Sequence, residues 1–422
     1  MSAPLSDIEQ RALAEVDPVA LLTDLDELVR ARSIDGEEAA AQRVAATLMR
    51  KHGLRAHEWQ IDLRELRRHP SFSAEVERTQ APGLVGELGE GAGRSLMLNA
   101  HVDVVPAGDV ALWAHDPWRL TVAEGKAYGR GALDDKGGVV CALHAARAIA
   151  QAGITLAGRL LVASVIGEED GGTGTLGTIL AGHVADAAIV VEPTSLAVVP
   201  AQAGALNFRL TVEGASAHGC VRDEGVSAVE KFEYLHAALL DLERRRNARV
   251  SDPLFARYAL PIPLNVGTLS AGDWPSSVPD RLVCEGRYGV AVGEDPAAAR
   301  AEFEQAIAAA AASDPWLAEH PPLGEWWGGQ FDPASTPADH PIVATLCAAL
   351  GDLTGATPVV EGVTYGADMR LLTNVAGMPT VLFGPGDVRD SHRPNEYVPV
   401  EQLVTATGAL VLTALRYCGV RE

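Results

Sequence analysis

Apolar positions along the chain follow two periods. In Pro18–Ala31 and Glu37–His52 they recur three and four residues apart, the stripe of an amphipathic helix, and Gly53 supplies a stop. Four short apolar runs, Ser95–Ala100, Arg159–Ile166, Ala187–Val191 and Thr380–Phe383, read as buried strands. A helical stretch, Gly137–Gly153, lies between the first two. Strands alternating with helices point to an α/β domain whose sheet is largely parallel. The pattern changes after Pro200. Leu206–Glu213, Pro263–Leu269 and Arg281–Val290 read as strands, and Val226–Arg246 and Asp295–Ala312 as helices. That order suits helices on one face of an antiparallel sheet. Past Asp314 the first pattern resumes, with helices at His340–Leu350, Asp368–Asn374 and Glu401–Arg416. The predicted fold class is α/β: a mixed open sheet flanked by helices, built from residues 1–202 and 316–422 and interrupted by an α+β unit at 203–315.

Composition narrows the partners. The chain has 422 residues, 47% of them apolar, enough for two domains with sizeable cores. It carries 34 Lys+Arg against 56 Asp+Glu, a formal net charge of −22, and so lacks the basic footprint that nucleic acid or an anionic membrane demands. No apolar run reaches the ~18 residues of a membrane span, and Met1–Asp17 lacks the basic patch and apolar core of a secretory leader. Cys141, Cys220, Cys284, Cys347 and Cys418 are scattered, with no CxxC pair. Reduced thiols in the cytoplasm are expected, and a bound metal must be held by oxygen and imidazole.

Groups of that kind cluster at the ends of the predicted strands. His101 and Asp103 close the first strand, where an Asp two residues on is placed to hold the far ring nitrogen of a ligating His. Alone, the pair would be an ordinary strand end. Asp134 and Asp135 follow Gly129-Arg130-Gly131 in a turn before a helix, where two carboxylates suit a cation and one suits a helix N-cap. Glu168 and Glu169 follow the next strand, and adjacent carboxylates there divide readily into ligand and general base. Glu192 ends the strand after that, and His392 lies in a downstream loop. Each is bland in isolation. Four of them fall at or just beyond strand C-termini, the edge where open α/β sheets build sites. Two imidazoles and three carboxylates, with Asp103 and Glu168 to spare, suit two zinc ions about 3.5–4 Å apart sharing one carboxylate.

The motifs resemble the dizinc metallopeptidase and amidohydrolase family of acetylornithine deacetylase, succinyl-diaminopimelate desuccinylase, aminoacylase and carboxypeptidase G. The resemblance rests on AHVDVVP (100–106), GRGALDDKGG (129–138), GEEDGG (167–172), VEPT (191–194), GASAHG (214–219) and GPGD with SHRPNEYV (384–398), in the family's order over nearly the whole chain. It implies that Asp134 bridges the metals through a cis Asp134–Asp135 peptide. His101 and Glu192 would complete one zinc, and Glu169 and His392 the other. Asp103 would orient His101, and Glu168 would be the general base. The inserted unit would be a lid and dimerisation domain, with His218 reaching the partner's active site in a homodimer to polarise the scissile carbonyl. Two positions depart from the pattern. Ser276 stands where many relatives carry Asn, and the lid arginine for a substrate carboxylate is shifted, leaving Arg287 and Arg370 as candidates.

The resemblance thus implies hydrolysis of an N-acyl amino acid or related small N-acyl amine, with Glu168 relaying the water proton to the leaving amine. A dipeptidase or carboxypeptidase would use the same site. A binding protein on this scaffold would have shed ligands or base, and none is missing here. Ligand type leaves cobalt or manganese open beside zinc.

Overall fold

The computed structural model describes residues 4–421. The chain divides into two compact units. One runs to Ala201 and takes up again at Ser335–Glu361 and from Ala367 onward; the other is Gln202–Ala334 with Gly362–Gly366.

The first unit is built on a mixed sheet. Its strands run in the order Arg55–Gln60, Pro82–Leu88, Arg159–Val165, Ser95–His101, Ala187–Val190, Thr380–Leu382 and Val198–Gln202. The middle four are mutually parallel, and antiparallel neighbours flank them. Every residue of Ser95–His101 is buried, as expected of a central parallel strand covered on both faces. Helices Pro18–Arg30, Lys136–Gln151, Pro341–Thr354 and Val400–Cys418 pack in one group against it; Thr173–Leu180 and Met369–Asn374 form another. Helix starts follow local chemistry: the Asp17 side chain accepts from Val19 and Ala20 N–H with Pro18 at the first turn. A small antiparallel sheet joins Thr121–Ala123, Lys126–Tyr128 and Tyr397–Pro399, so that the chain after residue 396 runs beside the chain before residue 129.

The second unit is a four-stranded antiparallel sheet in the order Leu264–Ala271, Arg281–Val290, Gly204–Glu213, Leu323–Phe331. Helices Ala228–Asn247 and Pro296–Ala312 pack together over it, around Leu206, Phe208, Leu210, Leu239, Tyr288 and Phe303. The expected return to the first unit at residue 316 is too early. Leu323–Phe331 pairs with Gly204–Glu213, Trp326 opposite Phe208, and carries the second unit to Ala334. Its pattern is broken by glycines and by a register shift between Trp326 and Gln330, which blurs the alternation that marks a strand.

Candidate metal centre

Because the middle strands are parallel and in register, their C-terminal ends share one edge. His101 is the last residue of its strand, Glu168 and Glu169 follow Arg159–Val165, and Glu192 follows Ala187–Val190. Asp134 sits in the turn before helix Lys136–Gln151, and His392 in the loop leading to Tyr397–Pro399. Asp134 lies between the two imidazoles: Oδ1 is 3.1 Å from His101 Nε2 and Oδ2 is 3.3 Å from His392 Nε2. Glu169 Oε1 is 2.9 Å from His392 Nε2, and Glu192 Oε1 is 4.0 Å from His101 Nε2. The result is two groups of three donors, His101–Asp134–Glu192 and Asp134–Glu169–His392, each with its atoms within 4.8 Å and both sharing Asp134.

The two aspartates of the turn divide their work. The Asp134–Asp135 peptide is cis. Asp135 turns away from the imidazoles: its Oδ1 accepts from Gly138 N–H at 3.1 Å, capping the helix, and its Oδ2 accepts from His101 N–H at 3.2 Å. The close fit of the edge needs glycine at 384, where a Cβ would stand 2.6 Å from the Glu192 carbonyl oxygen. His392 is held at φ 59°, in the left-handed region.

Asp103 differs from expectation in one respect. The acceptor nearest to His101 Nδ1 is the Asp103 main-chain carbonyl at 3.0 Å, and the carboxylate Oδ1 is farther, at 3.6 Å. The other carboxylate oxygen accepts from Glu169 N–H at 3.1 Å. With Nδ1–H donating to that carbonyl, Nε2 is the ring nitrogen left with a free lone pair, the one that could face a metal ion.

The electrostatics are those of a cation site. Burial raises the Glu192 carboxyl to about 8, with the Asp134 charge adding to it. Burial, then the charges of Glu192, Asp368 and Glu169, hold Glu168 well above the carboxylate range against the pull of His101. Hydrogen bonds to Asp134 and Glu169 raise His392 to about 11. Asp103 Oδ1 and Glu192 Oε1 are buried without a hydrogen-bond partner. Orphaned carboxylate oxygens beside two imidazoles fit a pair of divalent ions.

The other sequence candidates fall elsewhere. Arg370 is buried, and its Nη2 donates to the Gly171 carbonyl at 2.7 Å and its Nη1 to Ser71 at 3.4 Å, so it braces the turn after Glu169. His218, Ser276 and Arg287 belong to the second unit. His218 is exposed and bridges Ser277, while the Ser276 carbonyl accepts from Gly219 N–H at 2.6 Å, so these two candidates are neighbours. Arg287 is largely enclosed. Its Nη2 donates to Thr364 O at 2.9 Å, its Nε has no partner, and burial alone lowers its pKa.

Sequence reasoning assigned no role to Glu396, Arg130, Arg78 or Asp170. Arg78 joins Glu38 at 2.6 Å to Asp170 at 2.7 Å, fixing the residue after Glu169. Glu38 and Asp170 are buried beside this arginine, and Glu396 is buried beside Arg130.

A family model described as "Peptidase family M20/M25/M40" matches residues 97–416. The chain belongs to this family. The M20 chain is 32% identical over 346 residues to N-formyl-4-amino-5-aminomethyl-2-methylpyrimidine deformylase of Bacillus subtilis, covering 77% of this chain and 79% of that protein. It is also 32% identical over 359 residues to acetylornithine deacetylase of Myxococcus xanthus, covering 82% and 86%. Among solved structures, the dipeptidase Dug1p of Saccharomyces cerevisiae is similar with a TM-score of 0.78 at 12% identity, covering 97% of this chain and 98% of that one. At that identity the likeness concerns the fold. The M20 chain is therefore a hydrolase with a candidate dimetal site.

Proposed function

We propose that this M20 hydrolase is a dizinc amidohydrolase that removes the acyl group from an N-acyl amino acid or related small N-acyl amine. The observation that carries the reading is the pair of three-donor groups sharing Asp134, with Glu168 beside them. His101, Asp134 and Glu192 would hold one ion, and Asp134, Glu169 and His392 the other. Bound divalent ions acidify water and polarise a carbonyl. Glu168, not among the ligands, takes the proton of the attacking water and returns it to the departing amine. Asp103 holds the His101 ring through its carbonyl and the Glu169 main chain through its carboxylate. The names of the two relatives, a deformylase and a deacetylase, both describe removal of a short acyl group.

Recognition is assigned to the second unit. Arg287, enclosed and without a carboxylate partner among the described residues, is the receptor for a substrate carboxylate. His218 polarises the carbonyl from a partner subunit, and Ser276 supports its turn. A homodimer is supported by exposed apolar side chains on this unit: Tyr234, Leu240 and Leu269 are each half exposed or more. Five free cysteines support a reducing compartment such as the cytoplasm. The test is a panel of N-formyl, N-acetyl and N-succinyl amines and amino acids beside dipeptides, on zinc-, cobalt- and manganese-loaded protein. Turnover of the N-acyl amines is expected to exceed that of dipeptides at least tenfold. The reverse order would make it a peptidase, and no turnover of any of them would sink the reading.

A further inference from the structure

Glu396 is completely buried and lies against the turn that carries Asp134. One carboxylate oxygen, Oε1, accepts from Leu133 N–H at 3.0 Å and from Asp134 N–H at 3.2 Å. The other, Oε2, is paired with Arg130, equally buried, whose Nη2 donates to the Pro106 carbonyl at 3.2 Å. The main chain makes the same connection: the Glu396 carbonyl accepts from Gly129 N–H at 3.1 Å, continuing the pairing of Tyr397 with Tyr128. Four residues before Glu396 is His392, and the residue between Pro394 and Glu396 is also committed. Asn395 Oδ1 accepts from Ala114 N–H at 2.6 Å, and its Nδ2 donates to Leu112 O at 3.1 Å.

The loop that presents His392 is therefore fastened at its far end to the turn that presents Asp134, through a buried carboxyl group paired with Arg130. A buried carboxylate without its partners would be costly, so this one is used where separation matters. We infer that Glu396 is a positioning residue. Acting through the Leu133 and Asp134 amides and through Arg130, it sets the distance between Asp134 and His392, and so the affinity of the ion those two share with Glu169. This rests on the dimetal reading above. Outer partners of metal ligands typically contribute about 10–100-fold in affinity.

The experiment is titration of metal-free protein with cobalt(II), following d–d absorption and competition with a chelator. Wild-type protein is expected to bind two ions, and His392→Ala to lose one and to set the spectrum of the remaining ion. Glu396→Ala should weaken one ion at least tenfold and at substoichiometric metal give the His392→Ala spectrum. Glu396→Gln keeps an oxygen for the two amides but turns an NH₂ toward Arg130, and should fall between. Circular dichroism and melting of the metal-free variants show whether each is folded. If Glu396→Ala does not fold, Glu396→Gln and Arg130→Met decide by the same spectrum. Two ions bound by a folded Glu396 or Arg130 variant with wild-type affinities would overturn the inference. Failure of the wild-type protein to bind two ions would instead overturn the dimetal reading.

Discussion

Asp24 lies between His52 and His144, buried among three helices, much as Asp134 lies between His101 and His392 at the sheet edge. Both are trios of donors of the right kinds at the right spacing for a metal ion. Their charge balance is opposite. Asp24 Oδ2 accepts from His52 Nε2 at 2.6 Å and His144 Nε2 at 2.9 Å, while Oδ1 accepts from Lys51 Nζ at 2.7 Å. Burial would raise its pKa, but the hydrogen bonds of His144, His52 and Lys51 outweigh burial and hold it well below the ordinary range. One carboxylate there faces a lysine and two rings. At the sheet edge, Asp103, Asp134, Glu168, Glu169 and Glu192 face only two imidazoles, and among the described residues no lysine or arginine is ion-paired to any of the five. Donor geometry alone does not distinguish a structural pin from a metal site. Leftover negative charge and orphaned oxygens do.

Four measurements would break or sharpen that contrast. The largest expected effect is on turnover: Glu168→Gln should retain both ions and lose about a thousandfold in kcat. Asp24→Asn, assayed per folded molecule, should stay within about twofold, since its cluster supplies nothing to general base catalysis. Substantial residual turnover in Glu168→Gln would remove it as the base. Next is stability. Asp24→Ala strands two buried imidazoles, while the half-exposed Lys51 ammonium turns to water, and should cost about 3 kcal/mol in denaturant unfolding of metal-free protein. Metal stoichiometry should remain two; a third ion in wild-type protein that this variant loses would erase the contrast.

Adding zinc to metal-free protein at a hundredfold excess over Kd should stabilise it by about 2.7 kcal/mol per ion. Asp24→Asn should show the same increment from its lower baseline, and His101→Ala a smaller one. Equal increments in all three proteins would mean the ions bind elsewhere. The smallest effect is in the pH dependence. Burial first, then the charges of His52 and Arg147, lowers the His144 pKa against the pull of Asp24. A base whose folded pKa is depressed adds stability that is complete above its unfolded pKa near 6.5 and is lost as pH falls through the folded value. In metal-free protein this group should contribute a loss of stability below about pH 6.5 with a slope under about 1.4 kcal/mol per pH unit, read as the difference between the wild-type and His144→Gln profiles because the raised Glu192 carboxyl contributes the opposite slope there. His144→Gln should remove that contribution, and an unchanged slope would show that His144 charges freely in the fold.

The candidate site's edge was legible because parallel strands leave continuous apolar runs and the candidate donors follow directly at the strand ends. His101, Glu169 and Glu192 each sit within a few residues of such a run. The split of Asp134 and Asp135 into ligand candidate and helix cap was also within reach, since both uses suit that turn. Glu396 was not, because its meaning lies in a pairing across more than 260 residues with an arginine that looks exposed in sequence. Arg370, a candidate for a substrate carboxylate by its place near the motifs, donates in the fold to the Gly171 and Ser71 carbonyls, contacts across about 200 and 300 residues that no local pattern announces. The fourth strand of the second unit escaped because Gly324, Gly328 and Gly329 and the adjacent Trp326 and Trp327 leave no alternation of apolar and polar positions to read.

The left-handed backbone at His392 has an evolutionary consequence. Histidine, asparagine and aspartate occupy that conformation more readily than other residues with a side chain, and branched residues scarcely do. An exchange of His392 for Asp would therefore suit the loop's backbone while replacing a nitrogen of the proposed metal site with oxygen. That change shifts a site's preference away from zinc and toward harder ions such as manganese or magnesium. The backbone thus keeps one mutational path open at this position, along which the choice of metal drifts while the fold does not.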